Sequence, residues 1–302
     1  MTTDRKTILV IGATGAQGGA VASALLDRGT FNVRALTRKP ASAAAQALAA
    51  RGAEVVEGTL DDRATLRAAV KGCYGVFGVT NYWEHFERET EHGRNLINAV
   101  AGAEVEHFVF SSLPSVKTIT NGALNVPHFE QKYELEQYAR SLGIPSTFIH
   151  VAFYFDNFIG FFPPRKNEDG TYGFGFPQGD TPLAGVATED IGPVVAAIFD
   201  RPAEFLGRTV GVVGDDLPPA EYAAALSRVT GKEVRYTPIP REVFASFGFP
   251  GAEDLADMFE FNRLHILERK NDLAESRSLN PAMQSFEQWA TKHAQTLTNL
   301  LA

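Results

Sequence analysis

Thr7-Ile-Leu-Val-Ile11, followed at once by Gly12-Ala-Thr-Gly-Ala-Gln-Gly18, is the stretch on which the fold is decided. A short apolar run that ends at glycine predicts a strand buried on both faces of a parallel sheet. Gln17–Arg28 then places Val21 and Leu25 at helical spacing and stops at Gly29. The three glycines between them have separate tasks. Gly12 permits the tight turn, Gly15 lets backbone N–H groups approach a pyrophosphate, and Gly18 allows the helix to pack closely on the strand. The N-terminus of that helix adds a partial positive charge beside the phosphates. Glycine-rich turns are common, so the motif draws its force from its place in a first strand-to-helix turn.

Working outward, the same alternation repeats. Strands are expected at Asn32–Leu36, Ala53–Glu57, Tyr74–Val79, His107–Ser112 and Ser146–Val151. Helices are expected at Ser42–Arg51, Leu60–Val70, Glu87–Val100 and Phe129–Leu142, the last closed by Gly143. Strands separated by helical segments of this length imply right-handed crossovers, hence an α/β fold with a Rossmann-type doubly wound parallel sheet over residues 1–152. After Val151 the texture changes. Phe153–Pro164 is rich in aromatics, and Lys166–Leu183 is dense in Gly, Pro and Asp. Helices at Glu189–Asp200, Pro219–Val229 and Met283–Leu301, with a strand at Thr209–Val213, predict a smaller α/β domain over 153–302 that caps the sheet. Some of its segments are expected to return to the first domain.

The 302 residues include 28 Lys and Arg against 36 Asp and Glu, a net charge of -8. That balance lacks the footprint of a nucleic-acid binder. The single cysteine, Cys73, excludes an internal disulfide and a Cys-built zinc site. No signal peptide is read at Met1–Thr7, and no run approaches the roughly 20 apolar residues of a membrane span. A cytoplasmic protein is expected. The seven histidines are scattered without His-x-x-x-His or His-Glu-x-x-His spacing, so no metal site is expected. Ser111 and Ser112 lack a nucleophile-elbow context, which argues against acyl transfer.

The second strand selects the dinucleotide. An NAD site places Asp or Glu there to bind the ribose 2′-hydroxyl. Here the strand ends in Thr37-Arg38-Lys39. A guanidinium pairs bidentately with a 2′-phosphate that a carboxylate would repel. NADP(H) is therefore expected over NAD(H).

The Gly-x-x-Gly-x-x-Gly spacing, Thr37-Arg38, Asp61-Asp62, Thr80-Asn-Tyr-Trp83, His128-Phe-Glu-Gln-Lys132, Tyr154-Phe-Asp-Asn157, Asp190-Ile-Gly-Pro193 and Gly248-Phe-Pro-Gly251 run nearly from end to end. In these the chain resembles the NmrA-like family of atypical short-chain dehydrogenases, and within it the vertebrate NADPH-sensor branch. The resemblance implies that Gly12, Ala13, Thr14, Gly15, Ala16, Gln17 and Gly18 hold the pyrophosphate and Arg38 the 2′-phosphate. Leu60 and Asp61 would border the adenine. Thr80, Asn81 and Tyr82 would line the ribose and the nicotinamide approach, and Lys132 would bind the nicotinamide ribose. Tyr154, Phe155, Asp156 and Asn157 would close over the nicotinamide end. The wider superfamily reduces carbonyls with a Tyr-x-x-x-Lys pair and a serine, a place taken here by Ser111 with Ser112. This chain carries His128 where the tyrosine stands, four residues before Lys132 and on the same helix face. Imidazole is shorter than phenol and a different proton donor.

Two functions follow from an intact dinucleotide motif beside an altered Tyr-Lys pair. The first is an NADP(H)-binding, redox-sensing regulator with little or no standard dehydrogenase activity. The second is an NADPH-dependent oxidoreductase acting on a quinone or another small molecule. The expected partners are the dinucleotide and either a regulatory protein or a small-molecule substrate, and a homodimer is compatible with both.

Overall fold

The computed structural model describes residues 5–266 and 268–302. Its first half reads β1 (Thr7–Val10), α1 (Ala16–Arg28), β2 (Asn32–Thr37), α2 (Ala43–Ala50), β3 (Glu54–Glu57), α3 (Arg63–Val70), β4 (Gly75–Gly78), α4 (Tyr82–His85), α5 (Glu89–Ala101), β5 (His107–Ser112), α6 (Val116–Ile119), α7 (Pro127–Ser141) and β6 (Ser146–Val151). The rest reads β7 (Phe153–Tyr154), β8 (Arg165–Lys166), β9 (Tyr172–Phe174), β10 (Leu183–Val186), α8 (Thr188–Asp200), α9 (Pro202–Phe205), β11 (Thr209–Val212), β12 (Asp215–Leu217), α10 (Pro219–Thr230), β13 (Val234–Tyr236), α11 (Arg241–Ala245), α12 (Ala252–His265), α13 (Lys270–Leu279), α14 (Phe286–Lys292) and α15 (Ala294–Leu300).

The chain is α/β, with a seven-stranded central sheet in the order β11-β6-β5-β4-β1-β2-β3. Its pairings from β3 through β6 are all parallel. The order reverses at β1, which is the switch point of a doubly wound sheet. Ile8, Leu9 and Val10 are fully buried, as a central parallel strand requires. One core cluster joins Leu9, Leu66, Leu96, Phe108, Phe110, Leu135 and Phe148.

The chain divides into two compact units, neither of them continuous in sequence. The first comprises residues 1–114, 128–151 and 188–210; the second comprises 115–127, 152–187 and 211–302. In the first, α8 packs along α1 so closely that a Cβ on Gly192 would fall 2.1 Å from the Ala20 carbonyl oxygen. The second contains two three-stranded sheets, β12-β10-β7 and β13-β9-β8. Its core is aromatic: Phe176 stacks on Phe259 at 4.6 Å between centroids, and Phe158 meets Phe174, Tyr222 and Phe286.

Local chemistry explains where boundaries differ from expectation. The helix expected from Leu60 begins at Arg63, because the Asp62 carboxylate accepts from the N–H groups of Ala64 and Thr65 and so caps it. The single helix expected over Met283–Leu301 is two. A Ser285/Gln288 capping box starts α14, and His293, at ψ 14°, separates it from α15. Besides the short helices α4, α6, α9 and α11, two long ones, α12 and α13, lie where no helix is expected. The buried side of α12 mixes Phe259 and Phe261 with Asp254 and Asp257, so it shows no clean apolar stripe. Asp257 is accommodated by Arg241 at 2.7 Å and the Asn125 N–H at 3.2 Å.

His107 makes the first unit acid-sensitive. It is fully buried on β5, and its Nε2 lies 2.8 Å from Thr147 Oγ1. The one Thr147 hydroxyl hydrogen goes to the Phe205 carbonyl, so His107 Nε2 must donate. Its Nδ1 is buried with no partner among the described residues, so a second ring proton would find no acceptor there. Burial pushes the ring down to about 4. The unfolded chain takes up this proton near pH 6.5 and the folded one does not, so stability falls as pH drops from about 6.5 to 4, by about 3 kcal/mol in all. Urea midpoints of His107→Gln and the unaltered chain should converge over that window. A parallel decline in the two proteins would refute the assignment. No helix among the described residues is long and apolar enough to cross a membrane.

Candidate functional site

The turn after β1 has the shape its glycines predict. Gly12 adopts φ +63°, which favours glycine. Its carbonyl accepts from the Gly15 N–H at 2.8 Å, and the first turn of α1 closes with Gly19 N–H on the Gly15 carbonyl at 2.8 Å. A Cβ on Gly18 would lie 2.2 Å from the Gly12 oxygen, so only glycine lets α1 sit this close to the turn. No side chain caps α1 and its first turn holds no acid. The backbone N–H groups ahead of Gly19 lack intrahelical partners. This cradle suits a pyrophosphate: it lacks a Cβ at Gly12, Gly15 and Gly18 and it is electropositive. Ala13 is buried in it, and the Thr14 hydroxyl lies 3.4 Å from that of Thr37 at the end of β2.

Arg38, the next residue after β2, points its fork at a carboxylate. Its Nη1 donates to Glu84 Oε1 at 2.5 Å and its Nη2 to Oε2 at 3.3 Å. Asn81 Nδ2 donates to the same Oε2 at 3.2 Å. The hydrogen bond from Arg38 holds the Glu84 carboxyl below its ordinary range. Asp61, at the foot of β3, accepts from Arg88 and lies 2.9 Å from His92 Nε2. Partial burial pushes the Asp61 carboxyl up, but His92 and Arg88 outweigh it and leave it below its ordinary value. Leu60 packs on the core, and its carbonyl accepts from Asn95.

Lys132 sits on α7 with all its hydrogen-bonding capacity used. Nζ donates to the Thr80 carbonyl and hydroxyl, each at 3.1 Å, and to Glu89 Oε1 at 2.5 Å. An ammonium has three N–H donors, and three acceptors from this chain receive them. The Thr80 hydroxyl donates in turn to Glu89 Oε1 at 2.6 Å. Glu89 is fully buried, and its Oε2 has no partner among the described residues. Gly93, one turn along α5, makes this meeting of helices possible, since a Cβ there would strike Leu135 of α7 at 2.2 Å.

His128, one turn before Lys132, is buried with its ring 5.7 Å from Tyr82, 5.1 Å from Trp83 and 4.7 Å from Phe129. Tyr82 is itself buried, edge-on to Trp83 and Phe86. Ser111 and Ser112 are buried at the end of β5, and Ser112 Oγ donates to the Lys132 carbonyl at 3.2 Å. The first unit thus gathers Gly12–Gly18, Arg38, Asp61, Thr80, Asn81, Tyr82, His128 and Lys132 at the carboxyl ends of its strands and the helices that follow. Tyr154–Asn157 belong to the second unit. Tyr154 pairs with Val186, and Phe155–Phe158 form a short 3-10 turn. The Phe155 side chain is fully buried against Tyr222, Phe286 and Trp289. Sequence reasoning also missed Glu84, Glu89 and His92. The run Glu84–Glu91 holds four glutamates, and that charge density reads as an ordinary solvated helix face.

A model of the NmrA-like family matches residues 4–290. The NmrA-like family domain-containing oxidoreductase FrzB of Cladobotryum sp is 37% identical over 281 residues, covering 85% of this chain and 83% of that protein. An NmrA-like family domain-containing protein of Dictyostelium discoideum is 30% identical over 297 residues, 95% of this chain and 97% of its own. Among solved structures, the negative transcriptional regulator NmrA in complex with NADP shares the fold at TM-score 0.84 and 24% identity, over 98% of both chains. An NADPH-dependent quinone oxidoreductase of Escherichia coli, complexed with NADPH, matches at TM-score 0.78 and 25% identity, over 95% of this chain and 99% of that one. On the family match and the shared fold, this chain belongs to the NmrA-like family.

Proposed function

We propose that this protein binds NADP(H) in preference to NAD(H) and serves in the cytoplasm as a redox-sensing regulator with little or no standard dehydrogenase activity. The pyrophosphate would rest on the Gly12–Gly18 cradle and the 2′-phosphate on Arg38. Dinucleotide binding in the quinone oxidoreductase supports the cofactor, and the motifs shared with the vertebrate NADPH-sensor branch support the role. A bound nicotinamide dinucleotide supplies a hydride or accepts one.

The observation that carries the regulatory reading is the state of the proton-donating pair. A carbonyl reduction needs a donor about 3 Å from the carbonyl oxygen. His128 replaces the phenol and lies among aromatic rings, while Lys132 spends its three donors on Thr80 and Glu89. Regulation requires that the dinucleotide bind one conformation better than another, which then changes the surface offered to a protein partner.

The second reading is an NADPH-dependent reductase of a quinone or other small molecule. The oxidoreductase names of relatives favour it, and hydride transfer to a quinone asks for orientation more than for a protein acid. Calorimetry with NADP+ and NAD+, paired with NADPH consumption over a panel of quinones and aldehydes, separates the two. Tight NADP+ binding without turnover supports the regulator. Turnover at about 1–10³ s⁻¹, the usual enzyme range, overturns it. Arg38→Ala should cost NADP+ on the order of 1.5–3 kcal/mol, roughly ten- to a hundredfold, and leave NAD+ nearly unchanged. Equal losses for both would move the 2′-phosphate elsewhere.

A further inference from the structure

Arg38 follows β2, whereas Glu84 stands six residues beyond the end of β4. In the sheet β1 lies between those strands, and all three run parallel. Neighbouring strands are spaced about 4.8 Å apart, so the Arg38–Glu84 pair bridges about 10 Å across the carboxyl end of β1. That is where the Gly12–Gly18 cradle opens. A second tether, Arg88 with His92 on Asp61, carries the same segment on toward β3. Between the tethers Phe86 adopts φ +43°, a conformation costly for a side-chain-bearing residue. The segment Glu84–Arg88 is thus held by Arg38 at one end and by Asp61 at the other.

We infer that Glu84 sets the strength of the NADP(H)-over-NAD(H) preference by competing with the 2′-phosphate for the Arg38 guanidinium. The inference rests on the dinucleotide reading above. With the pair closed, the Arg38 fork is filled and its charge neutralised. The carboxylate is then placed to accept a hydrogen bond from an unphosphorylated ribose 2′-hydroxyl, the role that Asp or Glu plays in NAD sites. A 2′-phosphate carries up to two negative charges and meets Glu84 as a like charge, so it must displace the carboxylate to gain the bidentate contact. Asn81 Nδ2 steadies Glu84 in the competing position.

The test uses the full chain and measures binding of NADP+, NAD+, 2′,5′-ADP and 5′-AMP by calorimetry. Glu84→Gln should tighten NADP+ and 2′,5′-ADP by up to about fivefold, the upper range for one exposed ion pair. NAD+ and 5′-AMP should stay level or weaken. The gain should vanish when Arg38→Ala is added, because the two residues act on one contact. If the unaltered chain binds both dinucleotides and Glu84→Gln leaves their ratio unchanged, the inference falls while the dinucleotide reading stands. If the unaltered chain binds neither, both fall together.

Discussion

Lys132→Met is expected to destabilise the folded chain by about 3–5 kcal/mol, the usual penalty for stripping one partner from a buried ion pair. Glu89 is fully buried and meets Lys132 Nζ at 2.5 Å. Without the ammonium its carboxylate keeps one hydrogen bond, from the Thr80 hydroxyl. Adding Glu89→Gln should recover most of the loss, since the amide oxygen still accepts from Thr80 and no charge remains buried. Denaturant midpoints of the three proteins read this directly. A single variant as stable as the unaltered chain, or a double variant no better than the single, would show that the pair carries no such burden. The position of Lys132 in the His-x-x-x-Lys motif predicts a loss of dinucleotide affinity of about 1.5–3 kcal/mol, the value of a charged hydrogen bond. Its three internal acceptors shift the expected effect from affinity to stability, because an N–H offered to ribose must first leave Thr80 or Glu89.

Gly18→Ala should harm stability and binding together. The added Cβ would fall 2.2 Å from the Gly12 carbonyl oxygen and 2.5 Å from that of Ile11. Both are backbone atoms in the turn itself, so no side chain can rotate away. Restoring an ordinary carbon–oxygen approach requires α1 to retreat by about 1 Å. Overpacking of this kind costs about 1–3 kcal/mol and occasionally more. The same retreat pulls the N–H groups of the first turn off the phosphate position, so NADP+ and NAD+ should both weaken by roughly tenfold or more. This outcome differs from Arg38→Ala, which should touch NADP+ alone. An unchanged midpoint with unchanged affinities would mean that the helix and the turn are not in contact in solution.

Much of the central sheet was legible because its determinants are local. The strands from β1 to β6 each carry a short local run of β-forming residues between helical segments, and the cradle is seven consecutive residues. Arg38 was legible for the same reason, lying one residue past a strand end. What stayed hidden depends on partners far along the chain. Glu89 meets Lys132 across 43 residues, Glu84 meets Arg38 across 46, and His92 meets Asp61 across 31. No local period marks a buried carboxylate whose counter-charge arrives on another helix. Thr209–Val213 was readable as a strand, but its seat beside β6 is set by the sheet edge and not by its own residues. The 3-10 turn that hides Phe155 is likewise fixed by Tyr222, Phe286 and Trp289, all distant in sequence.

The first unit draws its last pieces from residues 188–210, and this sets a clock on its synthesis. Ribosomes add about 5–20 residues per second, so several seconds or more separate the emergence of α1 from that of α8. During that interval the face of α1 that Gly192 will press against has no cover, and the edge of β6 has no neighbour. Unpaired edges and bare apolar faces are the features on which nascent chains associate wrongly. A fragment stopped near residue 152 would keep that exposure permanently. Insolubility of such a fragment beside a soluble full chain is the expected consequence of a fold that closes only after two-thirds of its length has been made.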